Sequence, residues 1–422
     1  MASVTGTARR AGTHSALTFP IKVASALSVV LAAFIPIYRV LPGNISGLWT
    51  TVTLGLLVAT VLLGLGGRPK WFGIWVYAGY AALAASVTSS GASGLSATLP
   101  VAIQLFIIIG IGPFAVAGLI QKNPRLLVAA CISFLVTQTA SGIAGIAQLF
   151  GADVLGWIQV NERSPGLAGH PNVLGVMSAL AILVAVSVLL GRHTRGLGRA
   201  SVLTVLCLNA GALISTGSLS SMSACVAGVI VLLYVYGYRL LRILFAATLT
   251  VLVLWAVLST PFVSAVLRDP VQRFFQVTGQ TQYTSTLEIR SETYESAWES
   301  IQRDPFLGRG IDAENAAARE FGTVVHNVFL RSWYQGGLLL AIAIAVILVS
   351  VLVLVVKAVA ARNNGLAVGV IVVMMSYALT SAFFEQPYYW LPVLAAWATL
   401  PAGSMTSAGV TSTTASPSRA AS

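Results

Sequence analysis

Apolar runs of about 17 to 25 residues, each long enough to cross a bilayer as a helix, fill most of this 422-residue chain. Of its residues 57% are hydrophobic and 9% are charged. A water-soluble domain carries about a quarter charged residues, so the pattern excludes an ordinary soluble globule. It predicts an all-α, polytopic membrane protein. The net charge of +12 does not point to nucleic acid, because the cations stand singly or in pairs between apolar runs. That is the distribution membrane topology produces. Cys131, Cys207 and Cys225 all lie inside apolar runs and read as packing residues.

The pattern gives twelve spans, near 21–42, 46–66, 71–88, 97–120, 125–150, 172–190, 200–216, 222–238, 240–259, 335–356, 366–384 and 388–402. No cleavable signal peptide is expected before the first of them. Residues 1–20 and 403–422, rich in Ser, Thr, Ala and Gly, read as disordered tails. With twelve spans both termini share a face, which receives 15 of the 24 basic residues and none of the 12 acids. The positive-inside rule makes that face cytoplasmic.

One connection, residues 260–334, is far longer than the others and holds nine of the twelve acids. Spans one to nine (21–259) therefore precede a large extracytoplasmic segment, and spans ten to twelve (335–402) follow it. Within it, Ser285 and Glu288 have capping-box spacing. Leu287, Tyr294, Ala297, Trp298 and Ile301 form one apolar helical stripe. This predicts an amphipathic helix lying on the bilayer or capping the bundle.

Ionisable residues are essentially missing from the centres of these spans, which argues against a coupled transporter. The outer face is chemically richer. Its nine cations are all arginine: Arg39, Arg163, Arg268, Arg273, Arg290, Arg303, Arg309, Arg319 and Arg331. The guanidinium fork suits bidentate phosphate contacts; the alternative for each is a salt bridge to the nearby acids. His170 and His326 face outward at span entrances, where each is either a polar interfacial tip or a proton acceptor. Neither stands in metal-ligand spacing, and no Gly-rich phosphate loop, serine triad or Cys-His site is visible.

Three stretches together resemble the O-antigen ligase and polysaccharide polymerase superfamily, bacterial membrane glycosyltransferases of the GT-C type. "RSPGLAGHPNVLG" is similar to the family's Arg-x-x-Gly…Pro-Asn turn through Arg163, Gly166, Pro171 and Asn172. "IRSETYESAWESIQRDPFLGRGI" resembles its Arg-led helix and Pro-x-x-Gly-x-Gly through Arg290, Pro305, Gly308 and Gly310. "HNVFLRSWYQGG" resembles its His-Asn and following glycine through His326, Asn327 and Gly337. The chain departs from the family at Ser221, where an arginine thought to bind pyrophosphate commonly stands, and at Leu340.

The resemblance implies glycan transfer from an undecaprenyl-pyrophosphate donor to an acceptor hydroxyl at the outer face of the plasma membrane. His326 would accept the proton or position the acceptor, and Asn327 would orient it. Arg163, Asn172, Arg290 and Arg309 would bind the donor. No metal or other cofactor is called for, and the partners would be the lipid-linked donor, a glycan or other surface acceptor, and the bilayer. The alternative functions are a transporter or flippase for a surface-polysaccharide precursor, and a non-catalytic assembly protein.

Overall fold

The computed structural model describes residues 6–38, 43–89, 94–159, 163–191, 196–243, 245, 286–311 and 324–400. Twelve helices run through them: α1 (Gly6–Phe34), α2 (Gly43–Leu62), α3 (Phe72–Thr88), α4 (Leu95–Lys122), α5 (Arg125–Leu149), α6 (Pro171–Leu190), α7 (Leu197–Ser215), α8 (Leu219–Val235), α9 (Thr286–Arg303), α10 (Val328–Ala360), α11 (Gly365–Ala378) and α12 (Pro387–Thr399). No strand occurs among the described residues, only an isolated bridge between Val154 and Trp157. α4, α5, α6, α10 and the 18 residues Gly198–Ser215 of α7 are long and apolar enough to cross a membrane. Shorter apolar helices accompany them. The chain is an all-helical, multi-pass membrane protein.

Position in the bundle follows from which faces are apolar. α6 is apolar all round and buried from Pro171 to Ala185 apart from one position, as a helix must be when neighbours surround it. It packs against α5, α7, α8 and α11, while α10 lies against α3, α9 and α11. The main core joins Leu174, Met177, Leu183, Ile344, Ile371 and Met374.

The expected ninth span (240–259) falls almost wholly outside the described residues, as do Ser285 of the capping box, His193, Arg268, Arg273, Arg319 and the tail from 403. α1 starts at Gly6, so helix extends into the stretch read as a tail; its apolar part begins at Phe19. The tenth span also begins earlier than the pattern placed it, at Val328 and not near 335. The apolar run begins late because polar side chains occupy the first turns of a helix that is already buried there. Arg331, placed in a loop by hydropathy, is therefore a residue of α10.

Candidate active site

α10 is one helix by hydrogen bonding but is broken at Gly337, whose φ of 77° and ψ of −177° are non-helical. A break in a bilayer frees backbone groups that water cannot satisfy. Here the segment after α9 satisfies them. The Arg309 amide donates to Tyr334 O at 2.9 Å, Gly310 N to Gln335 O at 3.1 Å, and Leu338 N to Phe306 O at 3.3 Å. This stitching requires backbone against backbone. A Cβ on Gly308 would overlap Gln335 O, and one on Gly337 would overlap Phe306 O. The glycines of both motifs thus have a structural cause.

The stitch holds α9 against the start of α10. Ala297 and Ile301 of α9 are buried with Val325 and Tyr334 in a small core of their own, bordered by Tyr294, Leu330 and Trp333. The Trp333 indole donates to Pro305 O at 2.8 Å and meets the Trp298 ring edge-on, centroids 5.9 Å apart. The predicted stripe is thus the face that α9 turns to α10, although Trp298 stays half exposed.

His326 stands immediately before α10, at the end of the connection that leads from α9. Its Nδ1 lies 2.7 Å from Val324 O. A carbonyl can only accept, so Nδ1 carries the proton and Nε2 of the neutral ring offers a lone pair. The Tyr294 hydroxyl donates to His326 O at 2.9 Å, and burial pushes that phenol's pKa upward. Burial, followed by the charge of Arg290 and a smaller effect of Arg331, lowers the imidazole pKa from 6.5 to about 4, against a raising effect of the Val324 bond. The ring is neutral at physiological pH.

Asn327 is the N-cap of α10: its Oδ1 accepts from Leu330 N at 3.0 Å. Its Nδ2 donates to Leu379 O at 3.3 Å, beyond the end of α11. Both ends of the amide are committed to backbone. Asn327 therefore fixes His326 through the chain and not through a bond to the ring.

Arg290, one turn before Tyr294 on α9, is half-buried, and its Nε is buried without a hydrogen-bond partner among the described residues. No carboxylate among the described residues lies within 4.0 Å of it. By contrast Arg303, further along the same helix, pairs with Glu299 at 3.2 Å on the exposed face.

Arg163 belongs to a second group. Its Nε donates to Thr216 O at 2.7 Å, and an Nη donates to Asn172 Oδ1. Ser221 Oγ donates to Asn172 O at 3.4 Å, so the Arg163 loop is tied to the start of α8. His170 caps α6, accepting at Nδ1 from Asn172 N at 3.1 Å. A line of hydroxyls continues from Ser221 to Ser218 (2.9 Å), Ser220 (3.3 Å) and Ser381 (3.1 Å). The Tyr377 hydroxyl, bonded to that of Tyr389 at 3.1 Å, lies within the field of both Arg163 and Arg290. Both arginine groups thus act electrostatically on one hydroxyl.

Arg309 serves another contact, its Nε donating to Ser300 Oγ at 2.8 Å on α9. Among the described residues no three of His, Cys, Asp and Glu gather as a metal cluster. What can meet at the ends of α6, α8, α9, α10 and α11 is a neutral imidazole, two guanidinium groups and a row of hydroxyls. That set can hold a multiply charged anion beside a proton acceptor.

Residues 202–345 match the family model described as O-antigen ligase. Over this stretch the chain is similar to that family. This stretch contains the α9 helix, the Pro-x-x-Gly-x-Gly segment, His326 and the break at Gly337. Arg163 and Asn172 lie ahead of it. No curated protein matched the chain.

Sequence reasoning missed Tyr294 as a tether, Tyr377 as a hydroxyl felt by both arginines, and the buried Arg331 with its partners Gln335 and Glu385. Arg331 and Gln335 are four apart, which puts both on one helix face; that spacing was the available signal. Nothing local in the sequence marks Tyr377.

Proposed function

We propose that this protein moves a glycan from an undecaprenyl-pyrophosphate donor to an acceptor hydroxyl at the outer face of a bacterial plasma membrane, as a ligase or polymerase. The observation that carries this is Arg290, a cation without a carboxylate partner among the described residues, acting on a neutral imidazole whose proton sits on Nδ1, leaving the lone pair on Nε2. The similarity to the O-antigen ligase family supports the same reading. So does the charge partition, which puts both termini in the cytoplasm and residues 260–334 outside.

In this reaction the acceptor oxygen attacks the anomeric carbon. The bond from that carbon to the pyrophosphate oxygen breaks, and undecaprenyl pyrophosphate leaves with the electron pair. The acceptor proton passes to His326 Nε2. A ring with a pKa near 4, depressed chiefly by burial and then by Arg290, is a weak base, and the donor's charge offsets the Arg290 part of that. Negative oxygens beside Arg290 offset the field that disfavours protonation, so the imidazole gains basicity only in the loaded site. Arg290 and Arg163 neutralise charge on the departing pyrophosphate, with Asn172 holding Arg163 and Arg309 a further candidate. Arg163 reaches Thr216 O, beside the turn where the family's arginine is replaced by Ser221, and takes over that role.

Deleting the protein from its host tests this function. Accumulation of lipid-linked glycan at the outer leaflet, with loss of surface polymer, is the expected result. Lipid-linked glycan trapped in the cytoplasmic leaflet would assign translocation in place of transfer.

A further inference from the structure

Two buried charges have no contact with substrate in the chemistry above. Arg331 is 2% exposed in the early turns of α10, and Glu385 is 8% exposed in the connection from α11 to α12. Burying an ion costs several kcal/mol unless it is compensated, and chains retain such residues near a bilayer for a purpose. Arg331 Nε donates to Gln335 Oε1 at 2.8 Å, and its guanidinium lies 4.7 Å over the Phe384 ring. Arg331 Nη2 and Glu385 Oε2 are 3.6 Å apart. Glu385 Oε2 accepts no hydrogen bond among the described residues. Its Oε1 accepts from Gln386 Nε2 at 2.6 Å, and its carbonyl from Gln104 Nε2 at 2.7 Å, which fastens the connection to α4.

The same connection is tied to the His326 turn from the other side. Arg331 N donates to Asn327 O at 2.8 Å, and Asn327 Nδ2 donates to Leu379 O. Both ties to the connection, at Asn327 and at Arg331, fall within the five residues that follow His326. We propose that Arg331 and Glu385 are a positioning pair for the transfer reaction, their buried contact locking the His326 turn against the α11–α12 connection and so fixing where Nε2 is presented. The inference rests on His326 as the proton acceptor.

An ion pair kept only for stability is a poor device, because apolar replacements of similar volume are often neutral or better. Placement is what the pair offers beyond packing. It fixes one turn of α10 at one depth against a connection already anchored to α4. Among the described residues, the charged and titratable groups that act on the imidazole or its backbone are Arg290 and Tyr294 from α9 and Arg331 from α10, so Arg331 acts on it by charge as well as by position.

The test uses the full chain in nanodiscs, with three measurements on each preparation. These are melting, transfer from a lipid-linked donor, and the rate at which diethyl pyrocarbonate modifies His326, followed by peptide mass spectrometry. Glu385→Gln alone strands Arg331, so the informative variant is Arg331→Met with Glu385→Met, which keeps the volume. It should melt like wild type while kcat falls about 10- to 100-fold, the scale of a roughly 1 Å misplacement. KM should stay nearly unchanged, and His326 should react several times faster. Arg331→Lys keeps the charge, loses the fork, and should show the same changes more weakly. Wild-type kcat and wild-type His326 reactivity in both variants would overturn the pair's role. The reactivity arm is independent of the function: if His326→Ala transfers normally, the assignment of His326 fails. Unchanged reactivity in the double variant overturns the lock even then.

Discussion

The Tyr294 hydroxyl donates to the carbonyl of His326 at 2.9 Å, so the helix carrying Arg290 also holds the backbone of the residue that Arg290 acts upon. One bond joins the phosphate side of the site to its base. Tyr294→Phe removes it and leaves the carbonyl half-buried without its donor. The expected cost is about 1 kcal/mol of stability and up to about tenfold in transfer. Melting and donor turnover on the same preparation check both, and an unchanged turnover would make the tether dispensable.

Gly308→Ala should disrupt the site from a distance. The added methyl overlaps Gln335 O, a backbone atom that cannot step aside, so a loss of about 1–3 kcal/mol or more is expected. Gly55→Ala, in α2, meets nothing within 4 Å and replaces a helical glycine. It should be neutral or stabilising by roughly 0.5–1 kcal/mol. Thermal unfolding of the two variants gives the comparison; similar melting for both would mean that the stitch at the break carries no load.

Acid should reveal the His326 environment. Its folded pKa of about 4 lies below the ordinary 6.5, so the unfolded chain binds the proton more readily. The related stability is fully present above about pH 6.5 and is lost as pH falls toward 4. Against His326→Gln, the wild-type protein should therefore lose stability selectively across that window. Arg290→Gln removes the second-largest cause of the depression and should narrow the window by raising its lower edge. A difference between wild type and His326→Gln that stays constant from pH 7 to pH 4 would contradict the buried, neutral imidazole.

Arg290 and Arg303 lie on one helix but in different chemistry. Arg303 pairs with Glu299 on the exposed face, where such pairs contribute about 0–1 kcal/mol, so Arg303→Lys should be nearly silent. Arg290→Lys keeps the charge and loses the fork that grips two phosphate oxygens. It should impair transfer markedly without lowering melting or membrane level. Equal transfer for Arg290→Lys and wild type would leave Arg290 as an ordinary surface charge.

Much of this was legible in the sequence because membranes write in large letters. Apolar length marked most helices, and the stripe through Tyr294, Ala297 and Ile301 marked the packed face of α9. The His-Asn pair and the glycine eleven residues on drew attention to the region where α10 begins, though the span was expected only from 335. Less legible was anything depending on a partner far along the chain. Hydropathy put Arg331 in a loop because a buried arginine looks polar until Glu385, 54 positions later, is known to face it. Nor could spacing distinguish Arg290, without a nearby carboxylate, from Arg303, which has one. Asn327 was read as orienting the imidazole, and the cap bond to Leu330 N means that it would do so through the backbone.

Transfer by purified protein from a lipid-linked glycan donor, comparing wild type with His326→Ala, tests the central claim most directly. The variant should insert and melt like wild type yet transfer about 100-fold more slowly or worse, as expected for loss of a general acid–base group. A variant that transfers at the wild-type rate would contradict the account, leaving the imidazole as a buried polar tip beside the bilayer.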